Sequence, residues 1–267
     1  MNGRSRQLAS LIRNALLVTV CAVAISASSA PTAHAATAAS VVQPNAEDGI
    51  RNVQLRGIQN VRDLGGLRGR RGFIPHERFF RAATLAAASD EDRDDLLRRG
   101  ITLDIDLRTV FEAIEKRDRL SSDSRFEYRR VSLVGAGIPD LFRSGGLRGL
   151  YVHVLESHQA AIRNVFHAMA IHDHGAVLYH CTSGKDRTGM VTAILLDLAG
   201  VDRDAIVHDY AISARYLGRS QESSPGPAIA TFLDLLDTHF GGARAFLAHI
   251  GLPEGEIRAL LVKLGQG

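Results

Sequence analysis

The sequence predicts an α/β fold with a central, mostly parallel sheet flanked by helices. Three observations predict it. Short apolar runs of strand length alternate along the chain with segments of helical period. The run Ala176-Val-Leu-Tyr-His180 passes through a small glycine-containing loop directly into a helical pattern. Polar residues of chemical interest fall at the C-terminal ends of the predicted strands, where ligands bind in such sheets.

The elements follow in order. Asn60 to Gly66 reads as a strand entering a tight turn, because paired glycines close it. Arg78 to Ala83 reads as a strand. Ser89-Asp-Glu-Asp92 starts a helix with a capping-box pattern, and Gly100 ends it. Ile101 to Leu107 alternates strictly, which predicts a strand with Ile101, Leu103, Ile105 and Leu107 on one face and Asp106 near its end. Phe126 to Val134 is a further strand, and Gly135 to Gly149 reads as a mobile glycine-rich loop. Leu150 to His172 has the period of one long amphipathic helix. After the 176–180 strand, Val191, Ile194, Leu195 and Leu198 lie on one helical face, and Gly200 stops that helix. Asp202 caps a helix running to about Leu217, Arg219 to Pro227 reads as a linker or lid hinge, and three short helices close the chain.

The chemistry is concentrated in His180-Cys-Thr-Ser-Gly-Lys-Asp-Arg-Thr-Gly189. Cys181 and Arg187 stand at the two ends of a loop between a strand and a helix. Backbone N–H groups of such a loop and of the helix N-terminus converge on one point and favour an anion. The same field stabilises a thiolate. Cys181 is therefore the nucleophile expected to attack phosphorus and form a phosphocysteine. The planar fork of Arg187 is expected to hold two phosphate oxygens. Thr188 can hydrogen-bond the sulfur, and His180 can order the loop. Thr182, Ser183, Gly184, Lys185 and Asp186 complete the expected phosphate cradle. A Walker-type loop is excluded, because Asp186 stands where that pattern requires Ser or Thr.

Bulk properties narrow the class. Arg4, Arg6 and Arg13 precede an apolar stretch of 11 residues, Ala15 to Ile25, and Ala33-His-Ala35 forms a cleavage-type signal. Residues 1–35 are expected to be a signal peptide cleaved after about Ala35, giving a secreted, extracytoplasmic protein with no stable membrane span. Residues 36–50 are expected to be a flexible leader, and 51–267 the catalytic domain. Of 32 basic and 29 acidic residues, the three arginines of the signal peptide are lost on cleavage, leaving a formally neutral chain. The basic balance therefore gives no case for nucleic acid. Cys21 is lost too, so Cys181 is the only cysteine of the mature chain and no intramolecular disulfide can form. Lysine occurs only at 116, 185 and 263, which makes Lys185 in the loop conspicuous. His167, His172 and His174 cluster near a helix end but have no cysteine partners, and no metal or cofactor is expected.

The chain resembles the secreted bacterial tyrosine phosphatases of the mycobacterial protein tyrosine phosphatase B type, atypical relatives of the dual-specificity and phosphoinositide phosphatases. The likeness rests on the 180–189 string and on four further segments: Asn60 to Gly66, Phe80 to Leu85, Asp106-Leu-Arg-Thr109 through Glu112, and Gly200 through Asp209-Tyr210 to Ser213. It spans about residues 52 to 264. It implies a cysteine-phosphatase fold and metal-free hydrolysis of phosphate monoesters. Phosphotyrosine, phosphoserine or phosphothreonine in proteins, and phosphoinositides, are the implied substrates. A proton donor for the leaving oxygen is also needed. Asp186 in the loop and Asp106 at the strand end are the two candidates, with Asp140 a third.

Overall fold

The computed structural model describes residues 46–135 and 138–267, with the side chains of 46, 47 and 138–145 outside the description. The expected signal peptide and most of the leader also lie outside the described residues. The leader's last residues belong to a helix, α1 (Ala46–Arg51), whose Arg51 is buried.

Five strands form one sheet in the order β1-β2-β5-β3-β4. They are β1 (Arg62–Asp63), β2 (Phe79–Ala82), β3 (Ile101–Asp106), β4 (Glu127–Arg130) and β5 (Ala176–His180). All neighbours are parallel except β1 and β2. The α/β expectation of a mostly parallel sheet therefore describes the fold. β5 lies at the centre and is buried along its whole length, as its unbroken apolar run predicts.

Helix α2 (Asp90–Arg98) begins with the predicted capping box, in which Ser89 and Asp92 satisfy each other's backbone N–H groups. Helix α3 (Val110–Glu115) uses the same device through Thr109 and Glu112. Helix α6 (Asp186–Ala199) leaves the centre of the sheet, packs its apolar residues into the main core and ends at Gly200 in the left-handed region. Helices α7 (Arg203–Ala211), α8 (Ser213–Tyr216), α9 (Gly226–Phe240), α10 (Ala243–His249) and α11 (Glu254–Lys263) follow. The three terminal helices match the sequence reading.

Three expectations need correction. The segment 135–149 is not a loop: α4 (Ile138–Ser157) runs through it, interrupted at Gly146 with φ 57° and ψ −151°. Its glycines mark that break rather than an absence of helix. The single helix expected for 150–172 is divided at His158, so that α5 (Gln159–Ile171) is separate. In β3 a register irregularity between Ile101 and Leu103 sends Ile101 to the smaller core, while Leu103, Ile105 and Leu107 join the larger one. The polar face of β3 is buried too: Asp104 and Asp106 are fully inaccessible.

Behind the β5–α6 turn lies a buried charge cluster. Asp209 on α7 pairs with Arg51, Arg81 and Arg62, and all four residues are at most 2 % exposed at the side chain. Burial alone would push the Asp209 carboxyl up, but the three guanidinium groups hold it far below the usual carboxylate range. Arg62 also donates to the Asp209 carbonyl (2.9 Å) and to Ser213 Oγ (3.1 Å). Its own pKa is lowered to about 10 by burial and by the neighbouring Arg81 and Arg51, against the pull of Asp209. Three arginines thus share one buried carboxylate. Asp209→Asn should lower the unfolding free energy by about 3–5 kcal/mol, the scale for breaking a buried ion pair. Urea denaturation should show a much smaller loss for Asp234→Asn, whose pair with Arg203 is exposed.

Candidate active site

The loop after β5 is held from behind by its carbonyl groups. Asn60 Nδ2 donates to the carbonyls of Ser183 (3.0 Å) and Gly184 (3.1 Å), and Arg81 Nη2 donates to Gly184 (2.8 Å). The Thr84 N–H donates to the Thr182 carbonyl (3.2 Å). Asn60 is itself in the left-handed region at φ 57° and is gripped by Arg62. Gly184 has φ 63°, and a Cβ there would stand 2.3 Å from the Ala82 carbonyl oxygen, so only glycine fits. No side chain caps the N-terminus of α6. Its first N–H groups and those of the loop remain for an anion.

A cavity of about 70 Å³ opens here, lined by Val134, Leu150, Cys181, Thr182, Ser183, Asp186 and Arg187. The structure thus brings together the predicted nucleophile, the predicted arginine and one of the two predicted acids. Cys181 is 3 % exposed. Burial pushes its thiol up, but Arg187 and hydrogen bonds from the Thr188 side chain and backbone outweigh burial and hold it below the usual value. The Thr188 hydroxyl is fully buried beside Cys181 and makes no other hydrogen bond.

Glu112 on α3 clamps Arg187 in a two-point pair, both contacts 2.7 Å. It also accepts from Thr182 Oγ1 (2.6 Å) and the Thr109 N–H (2.9 Å). Burial raises the Glu112 carboxyl, yet Arg187 and these donors hold it far below its ordinary value. The guanidinium plane is therefore fixed before any phosphate arrives. This role was not read from the sequence. The capping-box spacing Thr109-x-x-Glu112 was visible, but nothing local tied it to Arg187.

The acid candidates separate. Asp186 lines the cavity, and Tyr210 Oη donates to its Oδ1 at 2.7 Å. Lys185 stands 3.5 Å from its other oxygen and donates to the Ser223 carbonyl, tying the expected lid hinge to the loop. Asp106 is fully buried and does not line the cavity. Arg108 holds both its oxygens (2.8 and 2.7 Å), and Tyr128 donates to one of them (2.9 Å). Burial would raise the Asp106 carboxyl, but His180 and Arg108 keep it below its usual value. Asp140 falls among the residues whose side chains are not described.

His180 is buried among carboxylates, 3.0 Å from Asp118, 3.5 Å from Asp104 and 3.8 Å from Asp106. Burial disfavours its charge, but Asp104, Asp106 and Asp118 push its pKa up to about 10. Its other nitrogen lies 3.3 Å from the Cys181 carbonyl. It is a charged strut under the loop. Asp104, Asp118 and His180 offer ligand atoms within 4.8 Å of one another, all three buried, and burial with Asp118 beside it pushes the Asp104 carboxyl well above its usual value. Of the three histidines near the helix end, His172 and His174 pack ring on ring (centroids 4.4 Å), His172 also contacts Thr102 (2.8 Å), and His167 contacts Glu256 (3.0 Å).

Comparisons with known proteins show the family. A model of the tyrosine phosphatase family matches residues 53–265. The chain is 40 % identical over 223 residues to a tyrosine-protein phosphatase of Nostoc commune, covering 72 % of this chain and 76 % of that one. A 49-residue stretch is 51 % identical to the triple specificity protein phosphatase PtpB of Mycobacterium tuberculosis, covering 18 % of this chain and 15 % of that protein. A crystal structure of P. aeruginosa TpbA in complex with phosphotyrosine is similar with a TM-score of 0.34 at 14 % identity, covering 71 % of this chain and 87 % of that one. The chain belongs to the tyrosine phosphatase family and is a protein-tyrosine phosphatase.

The thiol environment is directly measurable. The rate of iodoacetamide alkylation of Cys181 against pH should have its midpoint below the ~8.5 of a free cysteine. In Thr188→Ala the midpoint should rise, because a group that favours the thiolate is lost.

Proposed function

We propose that the protein is an exported, cysteine-dependent phosphatase that hydrolyses phosphotyrosine in proteins, with phosphoserine and phosphothreonine as further substrates, through a phosphocysteine. The observation that carries this reading is the shared cavity of Cys181, Asp186 and Arg187, with Arg187 already clamped by Glu112. The Cys181 thiolate attacks phosphorus while the guanidinium of Arg187 and the N–H groups of residues 182–187 bind the equatorial oxygens. Asp186, oriented by Tyr210, gives its proton to the departing tyrosine oxygen. The same carboxylate then takes a proton from the attacking water. Phosphate leaves, and the Thr188 hydroxyl stabilises the released thiolate. Asp106 serves in this scheme as an anion that fixes Arg108 and His180, for its oxygens are occupied and it has no place in the cavity.

Export rests on the charged, then apolar, then small-residue order of positions 1–35. Among the described residues no helix is long and apolar enough to cross a membrane. The short stretch shared with the mycobacterial triple specificity phosphatase supports a choice of substrates wider than phosphotyrosine. A phosphoinositide is the second substrate reading, favoured by Lys185, the cation beside Asp186 at the start of α6. A phosphate-binding module with little turnover would not need the thiol at all.

Phosphate release from phosphotyrosine peptides and from phosphoinositides separates these readings. Cys181→Ser should abolish turnover of both, whereas a pure binding module shows none in the wild type. Asp186→Asn should reduce kcat by about 10²–10³-fold, most for substrates with poor leaving groups, and flatten the basic limb of the pH profile. Asp106→Asn should instead leave the shape of that profile unchanged. The reverse pattern would make Asp106 the acid.

A further inference from the structure

A surface that hydrolysis does not use lies on the outer side of α3. Phe111 is 68 % exposed, Ile114 74 % and Val110 42 %. Spacings of three and four place these side chains on one helical face. Glu112, between them, turns inward to Arg187. The helix is held by that ion pair and by the capping box at its start, so the apolar face is presented by a fixed element.

Immediately after the helix come Lys116, Arg117 and Arg119, all exposed. Among the described residues none of the three has a carboxylate partner. The Lys116 carbonyl is anchored by Arg108 at 2.7 Å, which fixes the start of this basic segment. The three cations, with Ala86, Arg93, Ser122 and two acids, Glu115 and the buried Asp118, line an open groove of about 640 Å³. Lys116 is one of only three lysines in the chain.

We propose that α3 and this groove form a docking surface for an anionic lipid bilayer, with Phe111 and Ile114 entering the boundary between headgroups and acyl chains and Lys116, Arg117 and Arg119 meeting lipid phosphates. Protruding apolar side chains beside three exposed cations that outnumber the two acids of the groove combine the two attractions that bind a surface to such a bilayer. Docking through α3 would seat on the membrane the helix whose Glu112 holds Arg187, and so keep the phosphate cavity beside the lipid surface. The inference goes beyond the hydrolytic reading and does not rest on it, because membrane binding is read without turnover.

The test uses the full chain and vesicles of phosphatidylcholine with or without about 30 % phosphatidylserine, a content chosen to give a negative surface potential. Sedimentation with the anionic vesicles should weaken at least about tenfold in Phe111→Ser/Ile114→Ser, since binding scales with buried apolar area. Lys116→Glu/Arg117→Glu/Arg119→Glu should weaken it by a similar factor and remove its sensitivity to salt. Both variants should hydrolyse a soluble phosphotyrosine peptide as the wild type does. Wild-type affinity in either variant would overturn the proposal. A raised KM for the peptide with unchanged vesicle binding would also overturn it, assigning the patch to protein substrates.

Discussion

A loop that offers its N–H groups to an anion must place its carbonyl groups elsewhere, and the rest of this structure depends on that constraint. Here the carbonyls of Ser183 and Gly184 are drawn backward by Asn60 and Arg81. Neither holder is independent. Arg81 is neutralised by Asp209, and Asn60 is gripped by Arg62, which is bound to the same residue. The loop, two strands and α7 are thereby joined through one carboxylate. The left-handed Gly184 completes the arrangement, because the backbone of β2 passes too close for any side chain.

In front of the loop the electrostatics run in sequence. Glu112 fixes Arg187, and Arg187 with Thr188 favours the thiolate form of Cys181. Behind the loop, His180 carries positive charge among Asp104, Asp106 and Asp118. The net positive charge behind the loop is that of Arg51, Arg62 and Arg81 around the single Asp209 carboxylate, and with Arg187 in front it favours a phosphate dianion. Order in the cavity is set before substrate arrives, which is where preorganised electrostatics assists phosphoryl transfer.

The parts legible in the sequence are those whose cause is local. β5 matches the expected range, and α6 ends at the glycine that stops its period. The capping box at Ser89 and the asparagine, arginine and glycine turns near residue 60 were visible for the same reason. The arginine cluster was not, because Arg51 and Asp209 are separated by 158 positions. Glu112 and Arg187, 75 positions apart, were likewise joined only by the fold. Segment 135–149 misled in the other direction: its glycines argue for a loop, yet α4 passes through with a break at Gly146. Asp106 stood at a strand end as a catalytic acid would, and only the packing of Arg108 and Tyr128 against it reveals its partners.

The central claim is that the Cys181 sulfur carries the phosphoryl group between substrate and water. Rapid acid quench of the full chain with a phosphotyrosine peptide, followed by peptide mass spectrometry, tests it most directly. The account predicts a transient phosphoryl mass on Cys181, accumulating in Asp186→Asn if leaving-group departure is helped by a reactive substrate. Phosphate release with no phosphoryl group on Cys181 at any time, or with that group on another residue, would contradict it.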